Sequence, residues 1–293
     1  GASGKSIIVA GQHLSPRAQG VAAIINQALG NMSHTVVPVA VPFLDTDYNR
    51  TSSKDSLKSL AKELELGHVK VVIALGGNPV FSAPKELDLA TKLKERKLVH
   101  LTLFENETSE VAEWKIPRSH YLESWGDLKG GDGTVTVVQP LIEPMYDSLS
   151  DGELLSVISN GTSTKAYEQV RATWSDATDG QWRKWLHNGV VKTGLNAVTI
   201  SVNASALSTL PATKTYKGIE LLLTPDYSIY DGRFSNNGWL QELPDPVSKL
   251  TWDNALYMSP KMAKRMRIKT KDLVTLTSGS LTMKKLPIKT IID

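Results

Sequence analysis

The sequence predicts an α/β protein built on a parallel sheet with helices on both faces, a three-layer arrangement. Three observations lead there. Short β-branched apolar runs recur between residues 6 and 104. The segments between them place apolar residues at helical spacing. Near residue 249 the pattern changes to the period-two alternation of a hairpin. Strands that alternate with helices pair in parallel, because each helix carries the chain back to the starting end of the sheet.

In chain order, SIIVA (6–10) is the first expected strand, and GQHLSPRAQ reads as loop. GVAAIINQAL (20–29) is a helix closed by Gly30-Asn31, residues that suit a C-terminal cap. HTVVPVAVP (34–42) is the second expected strand, and SLKSLAKELELG (56–67) is an amphipathic helix stopped by Gly67. VKVVIALGG (69–77) is the third strand, PKELDLATKLKERK (84–97) a helix and LVHLTLF (98–104) the fourth strand. ETSEVAEW (107–114) reads as a short helix that begins at Glu107. From Leu149 to Val191 the spacing is helical and carries Trp174, Trp182 and Trp185. Residues 203–215 read as loop, GIELLLTPD (218–226) as a strand, and YDGRFSNNGWLQELPDPVSK as irregular chain. SPKMAKRM (259–266) is a short helix, and DLVTLTSGSLTMKKLPI (272–288) alternates as a hairpin.

The composition excludes several classes of function. Hydrophobic residues make up 41% of the chain and charged residues 22%, as in ordinary globular proteins. No run approaches the roughly 18 apolar residues of a membrane helix. The net charge of +3 is too small to point to nucleic acid. It is uneven, however: Lys249 to Asp293 holds ten Lys/Arg against three Asp/Glu, a balance of +7. That excess suits a solvated basic face or a docking face for an acidic partner. With no cysteine, the chain has no disulfide and no cysteine-ligated iron–sulfur or zinc site of its own. GASGKS lacks the first glycine and the leading strand of a P-loop. The opening residues also lack the apolar core and cleavage site of a secretory leader, and their abrupt start in a strand predicts an internal fragment. No H-E-x-x-H or G-x-S-x-G pattern occurs. Glu107, Glu110 and Glu113 fit a solvated helix face better than an acid/base pair.

The turn ALGGNPVFSAP (74–84) is different. In a parallel sheet, ligands bind beyond the carboxyl ends of the strands. Gly76, Gly77 and Asn78 fall there after the third strand, Gly11 after the first, and Glu105 to Thr108 after the fourth. Glycines past a strand let backbone N–H groups approach a phosphate. The competing reading is a tight turn in which Pro79 opens the next segment.

INQALGN (25–31), ALGGNPVFSAP (74–84) and FENETSEVAEWKIPRSHYLESWGD (104–127) together resemble the α/β part of the molybdopterin oxidoreductase, or dimethyl-sulfoxide-reductase, superfamily. DGTVTVVQPLIEPMYD (132–147) and YDGRFSNNGWLQELPDPVSKLTWDNALYMSP (230–260) look like one branch of it. That branch is described as the Tat-variant-translocated molybdopterin oxidoreductase, the B subunit of alternative complex III, or an iron–sulfur-cluster-containing hydrogenase component.

The resemblance implies an α/β domain over 1–148, a helical and irregular region completing it over 149–247, and the first part of a double-psi β-barrel over 248–293. It places Gly76, Gly77, Asn78, Pro79, Glu107 and Thr108 at the positions that bind a molybdopterin guanine dinucleotide in the wider family. It implies no catalytic and no metal-ligating residue in this stretch. Where cofactor-binding relatives carry A-D-x-x-L-P, this chain has Ala112-Glu113-Trp114-Lys115-Ile116-Pro117, with a bulky and a charged residue at the cofactor wall. The implied function is a scaffold without its own redox centre, within a membrane-associated quinol:electron-acceptor oxidoreductase at the periplasmic face. Its implied partners are a ferredoxin-like domain of the same full-length chain, which carries the iron–sulfur clusters, together with cytochrome c and quinol-oxidising membrane subunits. The alternative is part of an active molybdenum enzyme of the polysulfide or formate type. Trp114, Trp125, Trp239 and Trp252 suit either subunit interfaces or core packing.

Overall fold

The structure is a computed structural model and describes residues 3–39, 53–193, 197–211, 218–279 and 281–290. The chain forms two compact units, Gly1–Glu220 and Leu221–Asp293. It is mixed α/β, and the described strands form three small sheets of three strands each.

In the first unit, β1 (Val71–Leu75), β2 (Lys97–Thr102) and β3 (Trp114–Pro117) make a parallel sheet in that order. Helices α1 (Pro16–Ala28) and α2 (Ser53–Glu65) precede it. Helices α3 (Pro79–Ser82) and α4 (Leu89–Lys94) connect β1 to β2, and α5 (Glu107–Val111) connects β2 to β3. Leu64 of α2, Leu89 and Leu93 of α4 and Leu98 of β2 share a core with Ala61. Leu89 and Leu93 lie one helical turn apart and therefore face the same way. Complete burial of Leu64 and Leu98 stabilises by roughly 1.5–3 kcal/mol each.

The rest of this unit contains an antiparallel sheet, β4 (Gly126–Lys129), β5 (Val135–Val138) and β6 (Val190–Lys192). With it come α6 (Asp151–Asn160), α7 (Ala166–Thr173) and α8 (Asp179–Asn188), in the region expected to be helical. Val137, Val170 and Trp182 form a second core, lined by Trp125, Trp174 and Trp185. Trp125 meets Tyr167 edge-on at 4.9 Å, and the Trp174 indole N–H donates to Asp127 at 2.9 Å.

The second unit contains α9 (Gly238–Glu242) and α10 (Pro260–Met266). Its sheet joins β7 (Leu256–Met258), β8 (Leu273–Ser278) and β9 (Leu281–Thr290) in the order β7-β9-β8. β8 and β9 are the expected antiparallel hairpin, and β7 pairs in parallel with β9. Met258, Ala263 and Ile288 form the core.

Several expectations from the sequence need correction. SIIVA (6–10) makes no strand, and at its centre the Asn26 carboxamide takes both backbone groups of Ile8: Ile8 N–H donates to Oδ1 at 2.9 Å and Nδ2 donates to Ile8 O at 2.8 Å. Within 34–42, only isolated bridges at Val36 and Val39 occur among the described residues, and 40–42 lie outside them. The first helix starts earlier than expected, at Pro16, because Ser15 caps it by accepting from Ala18 N–H. The helix expected over 84–97 is interrupted at Asp88, whose φ of 45° is left-handed. ETSEVAEW stops being helical at Val111, and Trp114 begins β3. The described residues at 218–226 form no strand, and Leu221, Leu222 and Leu223 are exposed there.

Candidate functional site at the strand ends

The carboxyl ends of β1, β2 and β3 run into Gly76, Leu103 and Arg118 respectively. Gly11, expected at this edge, follows chain that is not part of the sheet.

The turn after β1 depends on its glycines. Gly76 and Gly77 both have φ of 73°, a conformation L side chains rarely adopt. Gly76 N–H donates to Leu101 O at 2.7 Å, and a Cβ at Gly76 would lie 2.7 Å from the Arg118 guanidinium. A Cβ at Gly77 would meet nothing within 4 Å, so this glycine faces open space. Pro79 is the first residue of α3 and Asn78 its cap.

Asn78 ties the turn to α5. Its Oδ1 accepts from Thr108 Oγ1 at 2.8 Å and from Thr108 N–H at 3.3 Å, and its Nδ2 donates to Glu107 Oε2 at 2.6 Å. Thr108 is fully buried, and its hydroxyl also accepts from Val80 N–H at 3.1 Å. The bond from Asn78, followed by a backbone N–H, holds the Glu107 carboxyl below the usual carboxylate range. Asn78, Pro79, Glu107 and Thr108 thus converge as the sequence expected, with Gly76 and Gly77 shaping the turn. Their polar atoms largely engage one another.

His100, in the middle of β2, packs beneath this edge, and none of the sequence motifs singles it out. It is fully buried. Its Nε2 lies 3.2 Å from Gly77 O, a carbonyl that can only accept, so Nε2 carries the proton. Nδ1 then accepts from the Ser109 hydroxyl at 3.0 Å, and that hydroxyl accepts from Asn106 N–H at 3.2 Å. Desolvation lowers the His100 pKa against the smaller opposing effect of the Gly77 carbonyl, so the ring is neutral. The available signal was a histidine inside the apolar run LVHLTLF, where only a bonded imidazole is tolerated.

Beyond the ends of β2 and β3 lies a cavity of about 630 Å³, lined among others by Leu103, Arg118, Trp125, Asp127, Asp151 and Gln169. None of the six residues singled out from the sequence lines it. Arg118 pairs with Asp151 in fork geometry, with Nε at 2.8 Å and Nη2 at 2.5 Å from the two carboxylate oxygens. Lys115, next to Trp114, lies 3.5 Å from Glu105. Trp114 is 61% exposed.

These residues do not fit the diphosphate of a pterin guanine dinucleotide. The Asn78 carboxamide is bonded at both ends, Thr108 is buried and Gly76 N–H is taken. Arg118 and Lys115 already have carboxylate partners, while Glu107 faces solvent. Its carboxylate carries the same sign of charge as a phosphate, and two like charges at 4 Å repel by about 1 kcal/mol even in bulk water. Gly77 has open space on its Cβ side, but its carbonyl is engaged by His100. Among the described residues, no group of three or more His, Asp or Glu side chains is arranged to hold a metal ion.

No protein-family model and no curated protein matches the chain. Among solved structures, acetylene hydratase from Pelobacter acetylenicus is similar in fold, with a TM-score of 0.52 at 14% sequence identity. The match covers 80% of this chain and 37% of the hydratase chain, so this chain spans little more than a third of that structure's length. Among the described residues, no helix is long and apolar enough to cross a membrane.

Proposed function

We propose that the chain is a molybdopterin-oxidoreductase-like scaffold, one that keeps the fold of a pterin enzyme without the grip on its cofactor. The likeness to acetylene hydratase, a fold of the dimethyl-sulfoxide-reductase family, supports the scaffold. The mutual bonding of Asn78, Thr108 and Glu107 carries the loss of the grip: groups expected to face a nucleotide instead lock the turn after β1 to α5. On this reading Gly76, Gly77, Asn78, Pro79, Glu107 and Thr108 are a vestigial cofactor wall. Segment 1–148, completed by 149–247, is the three-layer α/β domain, and 248–293 is the beginning of a double-psi β-barrel. The assembly it serves is a membrane-associated respiratory quinol:electron-acceptor oxidoreductase at the periplasmic face. Its neighbours there are a ferredoxin-like domain of the full-length chain, cytochrome c and quinol-oxidising membrane subunits.

Metal and nucleotide analysis of the full-length protein purified from its native membrane tests the scaffold role. Iron without molybdenum, and no guanine nucleotide released on acid denaturation, is the expected result. Molybdenum and guanine nucleotide at near-unit stoichiometry would favour the opposite, an active molybdenum enzyme of the polysulfide or formate type.

A further inference from the structure

The second unit carries a surface that the scaffold role leaves unused. Between Lys261 and Lys271, eleven residues hold six cations: Lys261, Lys264, Arg265, Arg267, Lys269 and Lys271. All six are exposed. Among the described residues, none of them forms an ion pair.

The local fold imposes this display. Ser259 caps α10 by accepting from Met262 N–H at 3.3 Å, and Pro260 opens the helix. Ala263 is buried, and Met262 and Ile268 pack against Met258 and Ile288. Lys261, Lys264 and Arg265, at spacings of three and four, therefore share the outward face. Arg267 ends the helix with φ of 57°, and Ile268 N–H returns to Ala263 O at 2.9 Å. The following turn is held by its backbone: Lys271 N–H donates to Ile288 O at 2.9 Å, and Lys269 N–H donates to Asp272 at 2.8 Å. Asp272 is the only acid between Ser259 and Leu273, and its bond is to backbone rather than to a lysine side chain. The helix dipole favours cations only in the last turn, so Lys261, Lys269 and Lys271 gain nothing from it.

Lysine is depleted in the buried parts of protein–protein interfaces, which favour aromatic residues and shaped pockets. Four to eight Lys/Arg on an amphipathic helix instead match a diffuse plane of negative headgroups. Met266 of α10 is 41% exposed within the cluster and Leu273, the first residue of β8, is 64% exposed beside it, so both offer apolar contact to such a surface. We propose that α10 and the turn after it bind peripherally to an anionic phospholipid surface. This inference stands apart from the fate of the cofactor site.

Sedimentation of the whole chain with lipid vesicles tests it. Vesicles of phosphatidylglycerol and phosphatidylcholine in equal parts are expected to carry the protein down at low salt. Pure phosphatidylcholine is not, and salt of about 0.5 M, where the screening length falls to a few ångströms, is expected to release it. Lys264→Glu with Arg265→Glu and Arg267→Glu is expected to weaken binding about tenfold or more. Lys58→Glu with Lys62→Glu and Lys94→Glu, the same charge change on exposed positions of the first unit, is expected to leave it intact. If the first triple variant fails to fold by circular dichroism, the corresponding three glutamine replacements carry the same comparison. Equal binding by wild type and the α10 variants, equal binding to neutral vesicles, or no binding to anionic ones would overturn the proposal. So would capture by poly-glutamate in preference to vesicles, which would assign the surface to an acidic protein.

Discussion

Two polar regions of this chain differ in what their side chains meet. At the edge of the parallel sheet, Asn78, His100, Thr108 and Ser109 bond to one another and to backbone. On α10 and the turn after it, six cations have no carboxylate partner among the described residues. The first region carries the motif that looks like a ligand site, yet its bonds are internal and hold the fold. The second has no motif, yet its charges are unanswered. A polar residue that is satisfied inside the chain contributes to stability, and one that is not is available for a partner.

Substitutions at the first region should therefore cost stability, and those at the second should not. The largest effect is expected for His100→Leu, which leaves Gly77 O and the Ser109 hydroxyl without their buried partner. The loss should be about 2–4 kcal/mol by urea unfolding. Asn78→Ala removes the cap of α3 and the link to Thr108, with a loss of about 2 kcal/mol in the same measurement. Gly76→Ala combines a left-handed backbone with a contact against Arg118 and should lose about 1–2 kcal/mol. Lys264→Gln, with no partner to lose, should stay within about 0.5 kcal/mol of wild type.

His100 also makes the first region sensitive to pH. Its folded pKa lies below 6.5, so the unfolded chain binds its proton first as pH falls. Stability from this residue is fully present above about pH 6.5, and is lost as pH drops from there toward the lowered folded value. The slope in unfolding free energy between pH 7 and 5 should be smaller in His100→Gln, a change that leaves the charges of α10 untouched.

Much of the fold was legible in the sequence where a pattern ran long enough to dominate. β1, β2, α2, α10 and the β8–β9 hairpin fall where periodicity and β-branched content put them. β3 was hidden because its four residues, Trp114 to Pro117, mix a charge and a proline into a stretch too short to alternate. SIIVA had the content of a strand, but Asn26, eighteen residues beyond Ile8, takes both backbone groups of that residue, and no local pattern announces that. Leu221 to Leu223 had strand content too, and without a pairing partner remain exposed. Ser15-Pro16 is a readable helix start, a capping residue followed by a proline at the first helical position, although the apolar spacing itself begins only at Gly20. At the site, the sequence placed Asn78 near Glu107 and Thr108 through the strand-end rule. What those groups bond to depends on the spacing between α3 and α5, which sequence does not carry.

The most direct test of the lock after β1 is a double-mutant cycle between Asn78→Ala and Thr108→Val, read as unfolding free energy in urea. A coupling of about 1–2 kcal/mol is expected, because each residue is the other's hydrogen-bond partner and Thr108 is fully buried. Strictly additive losses would contradict it, and would mean that Asn78 and Thr108 hold their positions independently and leave their polar atoms free for a ligand.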